Sequence, residues 1–306
     1  MLNIIGKRKI FFTISIILMV VSAASLIIQG FNLDTDFAGG MAVTYSIKGD
    51  FTVKDVEDIV SEALGTHQKA SSVQKSENQE VVIKFGYDNA LKTDDERAAF
   101  SDEKIRSITE FLSKKYGEVE LKNKDIVSPS TGKELARSAV WMSILAAIAI
   151  LVYVTFRFEV VSGVSAVVAL AHDILILCGI YSITRTAIDT NFIAAVLTVL
   201  GYSINSTIII FDRIRENMRH AKKQTYSEIA NTSINQTLAR SINTTVTTLL
   251  TIGMVYILGV TSIKVFALPI IIGIAIGTYT SICLAGSLWS IWKDSSVKAK
   301  KQAKKA

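Results

Sequence analysis

The stretch TVLGYSINSTIIIFDRIREN, which covers Thr198 to Asn217, passes from apolar residues into charged ones. Its first part suits the interior of a membrane, and the charges that begin at Asp212 are typical of a water-exposed end. Three consecutive polar residues, Asn205, Ser206 and Thr207, interrupt the apolar part. The stretch therefore predicts a membrane span with a group of polar side chains close to its charged end.

The composition of the whole chain agrees with a membrane protein. Half of the 306 residues are hydrophobic, and the mean hydropathy is +0.39. Soluble domains rarely have this composition, whereas proteins with several membrane spans do. The net charge of +6 does not indicate nucleic-acid binding, because the basic residues cluster beside the apolar runs. Cys178 and Cys283 lie within apolar runs, so they are interpreted as small buried residues without a disulfide.

Six apolar intervals are long enough for the roughly 20 residues that cross a bilayer. Five carry no charge, and one is broken only by His172 and Asp173. Pro269 predicts a kink or an early end in the last interval. The predicted spans are Ile10–Leu33, Ser138–Phe156, Val160–Ile183, Thr190–Phe211, Ser241–Ile263 and Val265–Trp292.

The first span has two interpretations. The basic residues Lys7, Arg8 and Lys9, an apolar run and the sequence SAAS resemble a cleavable signal peptide. The apolar run, however, continues through Ile28. This continuation favours an uncleaved anchor.

The arginine and lysine residues predict the orientation. They precede span one, follow spans four and six, and lie between spans two and three, whereas the short outer loops carry only Arg185 and Lys264. Both termini are therefore predicted to be cytoplasmic. The expected division is residues 1–33 for the N-terminus and span one, 34–133 for an outer domain, 134–292 for spans two to six with a cytoplasmic segment at 212–236, and 293–306 for a basic tail.

The outer segment alternates strand and helix patterns. Strands are predicted at Met41–Ile47, Ala70–Ser76, Glu80–Gly86 and Glu118–Val127, and helices at Thr52–Leu64 and Asp94–Gly117. The order βαββαβ predicts an α+β, ferredoxin-like domain inserted into an all-α, six-span bundle. The segment has no metal-ligand cluster, phosphate loop or nucleophile–base pair, and His67 is expected to be a surface histidine. A docking module is predicted, not an enzyme, and no cofactor or metal is expected.

The motifs resemble those of SecF-type members of the SecD/SecF family, which act beside the Sec protein-conducting channel. GYSINSTIIIFDRIREN is similar to the family signature GYSIN-D-T-x-x-x-FDRIREN, and DFAGG (residues 36–40), PSTGKELARSA (129–139), FRFE (156–159), HD (172–173) and SINQTLARSI (233–242) also fit. The family's membrane part is similar to half of a resistance-nodulation-division transporter. The matched motif residues include Asp36, Gly39, Gly40, Gly201, Asp212, Arg213, Arg215, Glu216 and Asn235.

The resemblance implies an auxiliary subunit of the Sec export machinery in the bacterial cell membrane. Such a subunit would act with SecD in late translocation and release of exported polypeptide, using a proton or sodium gradient. Other implied partners are the channel subunits SecY, SecE and SecG, YajC, exported polypeptides and membrane lipid, without nucleic acid. Two alternatives are a small-molecule exporter similar to resistance-nodulation-division pumps and a non-conducting scaffold of the Sec complex.

The chain departs from the family at one position. The resemblance implies an aspartate in span four and an arginine in span five on the conduction path. Arg240 matches the arginine, but Ser206 stands at the aspartate position. Serine does not titrate near neutral pH. Three interpretations stay open: SecD supplies the carboxylate, the oxygens of residues 205–207 bind a cation such as Na⁺, or coupling is reduced.

Each candidate also has a purely structural interpretation. Asp173, with His172 as a titrating neighbour, is a functional or a structurally paired carboxylate near the middle of its span. Asn205 and Thr207 are conduction groups or helix–helix contacts, and Arg240 is a site residue or an interfacial anchor. We expect Ser206 and Arg240 to face each other. The cytoplasmic segment is predicted to carry a helix along the membrane surface, with Ile214 and Met218 toward the lipid.

Overall fold

A computed structural model describes residues 1–65, 70–76, 79–87, 91, 93–221 and 224–303. Within these ranges, the side chains of residues 70, 71, 94 and 297–303 are not described. The surface role predicted for His67 and the lysines at the end of the basic tail lie outside the described residues.

The first half of the chain contains one long apolar helix and a small mixed domain. In chain order the elements are α1 (Arg8–Ile28), α2 (Thr35–Ala38), β1 (Gly40–Ile47), α3 (Val53–Leu64), β2 (Ala70–Lys75), β3 (Glu80–Gly86), α4 (Asp94–Tyr116) and β4 (Val119–Val127). Every strand and helix predicted for the outer segment is present, with each end within one residue of its expected position. The short helix α2 was not predicted.

The four strands form one antiparallel sheet in the order β2-β3-β1-β4. Alternate side chains of β1 and β3 point to one face, where they form a core with α3 and α4. Opposite residues pair across the two central strands, as in Met41 with Phe85 and Val43 with Ile83. The period-2 pattern in the sequence thus becomes a sheet with one buried face.

The second half of the chain is almost entirely helical. Its helices are α5 (Pro129–Arg157), α6 (Val160–Thr184), α7 (Thr190–His220), α8 (Tyr226–Leu258), α9 (Thr261–Thr280) and α10 (Gly286–Ala303), and a π-helical turn (Ser281–Ala285) joins α9 to α10. Together with α1, they supply six stretches long and apolar enough to cross a membrane. Each predicted span lies within or overlaps one of them.

Several helices extend beyond the apolar run that predicted them. Ser128 caps α5 ten residues before the predicted span begins at Ser138, and Thr225 caps α8 in a capping box with Glu228. A charge-free run marks the part of a helix that lipid tolerates, whereas the hydrogen-bond ladder continues to the nearest capping residue. The sequence therefore located the spans better than the helix ends.

The predicted helix along the cytoplasmic surface is wrong. Helix α7 continues without a break to His220, and Ile214 is buried in the protein core beside Phe211. Met218 packs against the same core. These side chains extend the inward-facing stripe of α7, because they follow it at helical spacing.

Glycines bring the membrane helices close together. A Cβ atom at Gly273 of α9 would lie 2.3 Å from Val199 of α7, and one at Gly277 would lie 2.9 Å from Ser203. Gly273 and Gly277 form a G-x-x-x-G pattern, whose small residues permit this close helix contact. Helices α5 and α8 are covered much less, since only 11% of the apolar window of each is buried.

The turn before β1 yields a test of backbone strain. Gly40 has φ +154°, and a Cβ atom there would lie 2.5 Å from the carbonyl oxygen of Phe85. We expect Gly40→Ala to destabilise the protein by about 1–3 kcal/mol from strained backbone alone, with a further loss from the clash. Thermal unfolding of the purified chain would measure the effect.

Gly49→Ala is the matched control. Gly49 also has a positive φ (+130°), but a Cβ atom there meets nothing within 4 Å. The control should lower the melting temperature less than Gly40→Ala does. Equal melting temperatures for the two variants would contradict the packing of Gly40 against β3.

Candidate functional site

A buried carboxylate lies where three membrane helices meet. Asp173 of α6 is 1% exposed. The hydroxyl of Ser203, on α7, donates to its Oδ2 atom at 2.6 Å, and the hydroxyl of Thr280, at the end of α9, donates to Oδ1. Nδ1 of His172 lies 3.2 Å from Oδ1. The carboxylate therefore connects α6, α7 and α9 through polar contacts inside the bundle.

The hydrogens available to this centre are few. Thr280 has one hydroxyl hydrogen but three acceptors within reach: Asp173, Nδ1 of His172 at 3.1 Å and the carbonyl of Ile276 at 3.0 Å. Within the described part of the chain, Nε2 of His172 is buried without a hydrogen-bond partner. The one hydroxyl hydrogen of Thr280 therefore cannot satisfy all three acceptors at once.

No lysine or arginine among the described residues pairs with Asp173; its one charged-type neighbour is His172. A buried charge without a cation is costly, and hydroxyl donors offset only part of that cost. Gly277 adds to the confinement, because a Cβ atom there would lie 3.4 Å from Oδ2 of Asp173. The carboxylate is therefore enclosed between closely packed helices.

The three polar residues that opened the sequence analysis point in different directions. Asn205 is exposed, Ser206 is buried, and the hydroxyl of Thr207 bonds that of Ser281 at 2.9 Å in the core. Consecutive residues of an α-helix are about 100° apart, so their oxygens do not converge. The proposed cation site on the oxygens of these three residues has no support in this geometry.

Arg240 lies at the mouth of a separate cavity. Its side chain is exposed and, with Asp212, Glu216 and Gln236 among others, lines a cavity of about 390 Å³ between α7 and α8. No hydrogen bond or ion pair joins Arg240 to Ser206 among the described residues. Their pairing stays a prediction.

The charged motif after Phe211 ties helix ends together. Asp212 lies 3.7 Å from Arg157 at the end of α5 and 3.5 Å from Arg215 of its own helix. Arg213 bonds Glu216 and Gln236, each at 2.6 Å. Gly201 lies on the exposed side of α7 with Asn205. The FDRIREN residues thus hold α7 against α5 and α8.

Two asparagines of α8 hold the N-terminal segment. The amide of Asn235 accepts a hydrogen bond from the backbone N–H of Leu2 at 2.7 Å and donates to its carbonyl at 2.8 Å. Asn231 accepts from the N–H groups of Ile4 and Ile5. Asn235 therefore positions the N-terminal segment against α8.

At the opposite end of the bundle, a second charged group joins the outer domain to the helices. Lys84 of β3 lies 2.8 Å from Oδ2 of Asp34 and 3.4 Å from Oδ1 of Asp36. Oδ2 of Asp36 accepts hydrogen bonds from the N–H and hydroxyl of Thr190, the first residue of α7. Gly39 and Gly40, both with positive φ, turn the chain from α2 into β1. We call Asp34, Asp36, Lys84 and Thr190 the outer joint.

The charges of the outer joint stabilise one another. Burial raises the pKa of Asp36, but Lys84 and the bonds from Thr190 lower it, and the result is a pKa below the ordinary value. Burial lowers the pKa of Lys84, but Asp34, Asp36 and Asp189 raise it, and the result is a pKa above the ordinary value. Both groups are therefore charged at neutral pH, and their attraction persists there.

The sequence interpretation missed Ser203, Thr280 and Lys84. Ser203 lies one helical turn before Thr207, and Thr280 lies three residues after Gly277, so helical spacing from recognised residues was an available signal for both. Lys84 lies in a strand with no motif of its own. Only the packing of β3 beside α2 brings it to the two aspartates that follow span one.

Comparison with known proteins gives consistent matches. The family model "Protein export membrane protein SecD/SecF, C-terminal" matches residues 107–295. The protein translocase subunit SecF of Sebaldella termitidis is 36% identical over 291 residues, which are 94% of this chain and 90% of that protein. The protein translocase subunit SecDF of Bacillus subtilis is 34% identical over 96% of this chain, which spans only 38% of that protein's length.

The fold is also similar to a solved structure. The crystal structure of SecDF from Thermus thermophilus, described as a translocon-associated membrane protein, matches with a TM-score of 0.77 and 32% identity. The match covers 96% of this chain and 39% of that chain. The similar region includes the outer domain and the helices that surround Asp173.

The hydrogen bonds to Asp173 make a specific prediction about stability. Ser203→Ala removes a donor and leaves part of a buried carboxylate unsatisfied, so we expect a loss of about 1–3 kcal/mol in unfolding free energy. Ser165→Ala is the matched control, because Ser165 is equally buried and its hydroxyl bonds only the carbonyl of Val161 on its own helix. Thermal unfolding in detergent should show a larger decrease for Ser203→Ala. Equal decreases would mean that the contact with Asp173 adds nothing.

Proposed function

The chain belongs to the SecD/SecF family of protein-export membrane proteins, and we propose that it promotes late translocation and release of exported polypeptide as a SecF-type subunit. It is a multi-pass membrane protein with a Sec-associated role in export. The full-length similarity to SecF proteins carries this proposal. The relatives are named as translocase subunits, which fits a transport role without catalysis.

We infer that SecD covers the exposed side of the bundle. The region similar to this chain is 38% of each SecDF protein from Bacillus subtilis and Thermus thermophilus, which supports a SecD part beside it. In the described part of the chain, the side chains of Asn205, Arg240 and Asn243 make no hydrogen bond and lie on exposed faces. Polar groups of this kind are unfavourable against lipid.

Other polar residues on α8 do not require a partner protein to cover them. The hydroxyls of Thr244, Thr247, Thr248 and Thr251 each donate to a carbonyl one turn earlier in the same helix. A threonine that is satisfied in this way tolerates lipid. The partner surface we propose therefore centres on Asn205, Arg240 and Asn243, beside the cavity that Arg240 lines.

Asp173 is the group we propose for energy coupling. Ser206 cannot replace a carboxylate, but Asp173 is a carboxylate already inside the bundle, and it is bonded to two further helices. Protonation would remove the negative charge of Asp173, and its hydrogen bonds from Ser203 and Thr280 would then become weaker. Because these bonds join α6 to α7 and α9, we expect the three helices to repack. SecD could add a second titrating group at the exposed face.

We propose that the outer domain is a ferredoxin-like docking module. The antiparallel strand order β2-β3-β1-β4, with α3 between β1 and β2 and α4 between β3 and β4, supports a split-βαβ arrangement. A module on the outer side is in place to meet polypeptide as it leaves the channel. The proposed partners also include SecY, SecE, SecG, YajC and membrane lipid. The membrane half of the chain is proposed to be a resistance-nodulation-division-type unit.

The orientation we propose places both termini in the cytoplasm of the bacterial cell. The structure supports one common side for Arg157 and Arg215, because both lie close to Asp212. Arg185 lies at the other end, where it donates to the carbonyls of Gln29 and Gly30. The excess of basic residues on the first side favours the cytoplasm for that side.

Cysteine labelling tests this orientation. In a background with Cys178 and Cys283 replaced by alanine, Ser61→Cys places a thiol on the exposed surface of α3 and Ser295→Cys places one on α10. We expect a membrane-impermeant maleimide added to intact cells with a permeable outer envelope to label residue 61 and to leave residue 295 unlabelled until the membrane is broken. The opposite pattern would reverse the proposed topology.

Export measurements test the role of Asp173. We expect Asp173→Asn to abolish the part of export that an ionophore removes, because asparagine cannot exchange a proton, and Asp173→Glu to restore some of it. The assay is secretion of a slowly exported reporter with the pH gradient and membrane potential collapsed separately. Ser165→Ala should behave like the unaltered chain. Ionophore-sensitive export at the normal rate in Asp173→Asn would favour SecD as the source of the carboxylate or a role without coupling.

A further inference from the structure

We propose that Lys84 is a positioning residue that connects the outer sheet to α7, so that a change at Asp173 moves the outer domain. The proposal rests on the proposed function of Asp173 and extends it to the outer side of the membrane. Its first support is the outer joint, where Lys84 and Asp36 link β3 to the first residue of α7.

The charges of the outer joint are held in a restricted environment. The Lys84 side chain is 13% exposed and that of Asp34 is 2% exposed, so solvent and salt screen the pair weakly. Each oxygen of Asp36 has its own partner: Oδ1 faces Lys84, and Oδ2 accepts the two bonds from Thr190. A displacement of α7 along its axis would therefore act directly on Asp36 and, through it, on Lys84.

The backbone around the joint leaves little room for slippage. A Cβ atom at Gly39 would lie 2.8 Å from the backbone of Pro129, and one at Gly132 would lie 2.6 Å from the carbonyl oxygen of Phe37. The N–H of Asp34 also donates to the carbonyl of Ile188, which leads into α7. The segment after span one is consequently packed between the start of α5 and the start of α7.

Helix α7 connects this joint to the membrane centre without interruption. It carries Thr190 at its first turn and Ser203 thirteen residues later, a separation of about 20 Å along the helix axis. Ser203 donates to Asp173 at one position, and Thr190 donates to Asp36 at the other. One rigid element therefore contacts both the buried carboxylate and the aspartate that faces Lys84.

Distance measurements between two spin labels test the coupling. In the background without Cys178 and Cys283, labels at Ser61→Cys on α3 and Thr198→Cys on the exposed side of α7 report the position of the outer domain relative to α7. The full chain is reconstituted in lipid nanodiscs and measured by pulsed electron paramagnetic resonance. We expect one narrow distance distribution, which Lys84→Met broadens and Lys84→Arg keeps narrow.

The coupling is tested by asking whether Lys84→Met changes the effect of Asp173→Asn on the distance between the labels. Asp173→Asn should shift the mean distance by about 1–2 Å, the size of helix shifts in switching proteins, and the shift should disappear when Lys84→Met is also present. The same shift in both backgrounds, or no shift with Lys84 intact, would overturn the proposal. Lys48→Met is the matched control, because Lys48 pairs with Glu118 at the exposed far end of the sheet.

One further variant and one further measurement keep the test decisive. If Lys84→Met does not fold, Asp36→Asn weakens the same link and leaves the pair of Lys84 and Asp34, so it should also abolish the shift. Export separates this inference from the proposed function. Coupled distances together with normal export in Asp173→Asn would count against the role of Asp173 and leave the mechanical connection intact.

Discussion

The bundle is organised around the placement of one carboxylate, Asp173, among three helices. A carboxyl group buried inside a membrane protein needs hydrogen-bond partners that stay in place, and the partners here come from different elements. Ser203 reaches it from α7 and Thr280 from the end of α9. The close contact of α9 with α7, which Gly273 and Gly277 permit, is what brings both hydroxyls within bonding distance. Small residues and polar residues therefore depend on each other in this part of the fold.

Charged motif residues occupy the two ends of helix α7. Asp212 and Arg213 link α7 to neighbouring helices at one end, and Asp36 with Lys84 links it to the sheet at the other. Between these ends α7 contributes mainly apolar packing, together with hydroxyls such as those of Ser203 and Thr207 that bond neighbouring helices. Such a division is physically reasonable, because charged groups are tolerated at the membrane surfaces and expensive between them.

The sequence predicted the six spans and the elements of the outer domain because each depends on a local pattern. The run without charge around Ser138–Phe156 predicts a span by length alone, and the alternation in Glu80–Gly86 predicts a strand by its period. The side-chain partners could not be predicted in this way. Thr280 and Asp173 are 107 residues apart, and only the packed bundle brings them together. Of the three interpretations left open for Ser206, a cation site on residues 205–207 has no support in the structure for a local reason, since the helix turns each neighbour by about 100°.

The π-helical turn at Ser281–Ala285 has the geometry of one residue added to a regular helix. Just before it and at its start, two adjacent hydroxyls serve different helices: Thr280 bonds Asp173 of α6, and Ser281 bonds Thr207 of α7. Beyond it, Trp289 still points inward and donates to Glu159. The wide turn therefore lets two neighbouring hydroxyls bond two different helices, while the residues beyond it keep a side that faces the bundle.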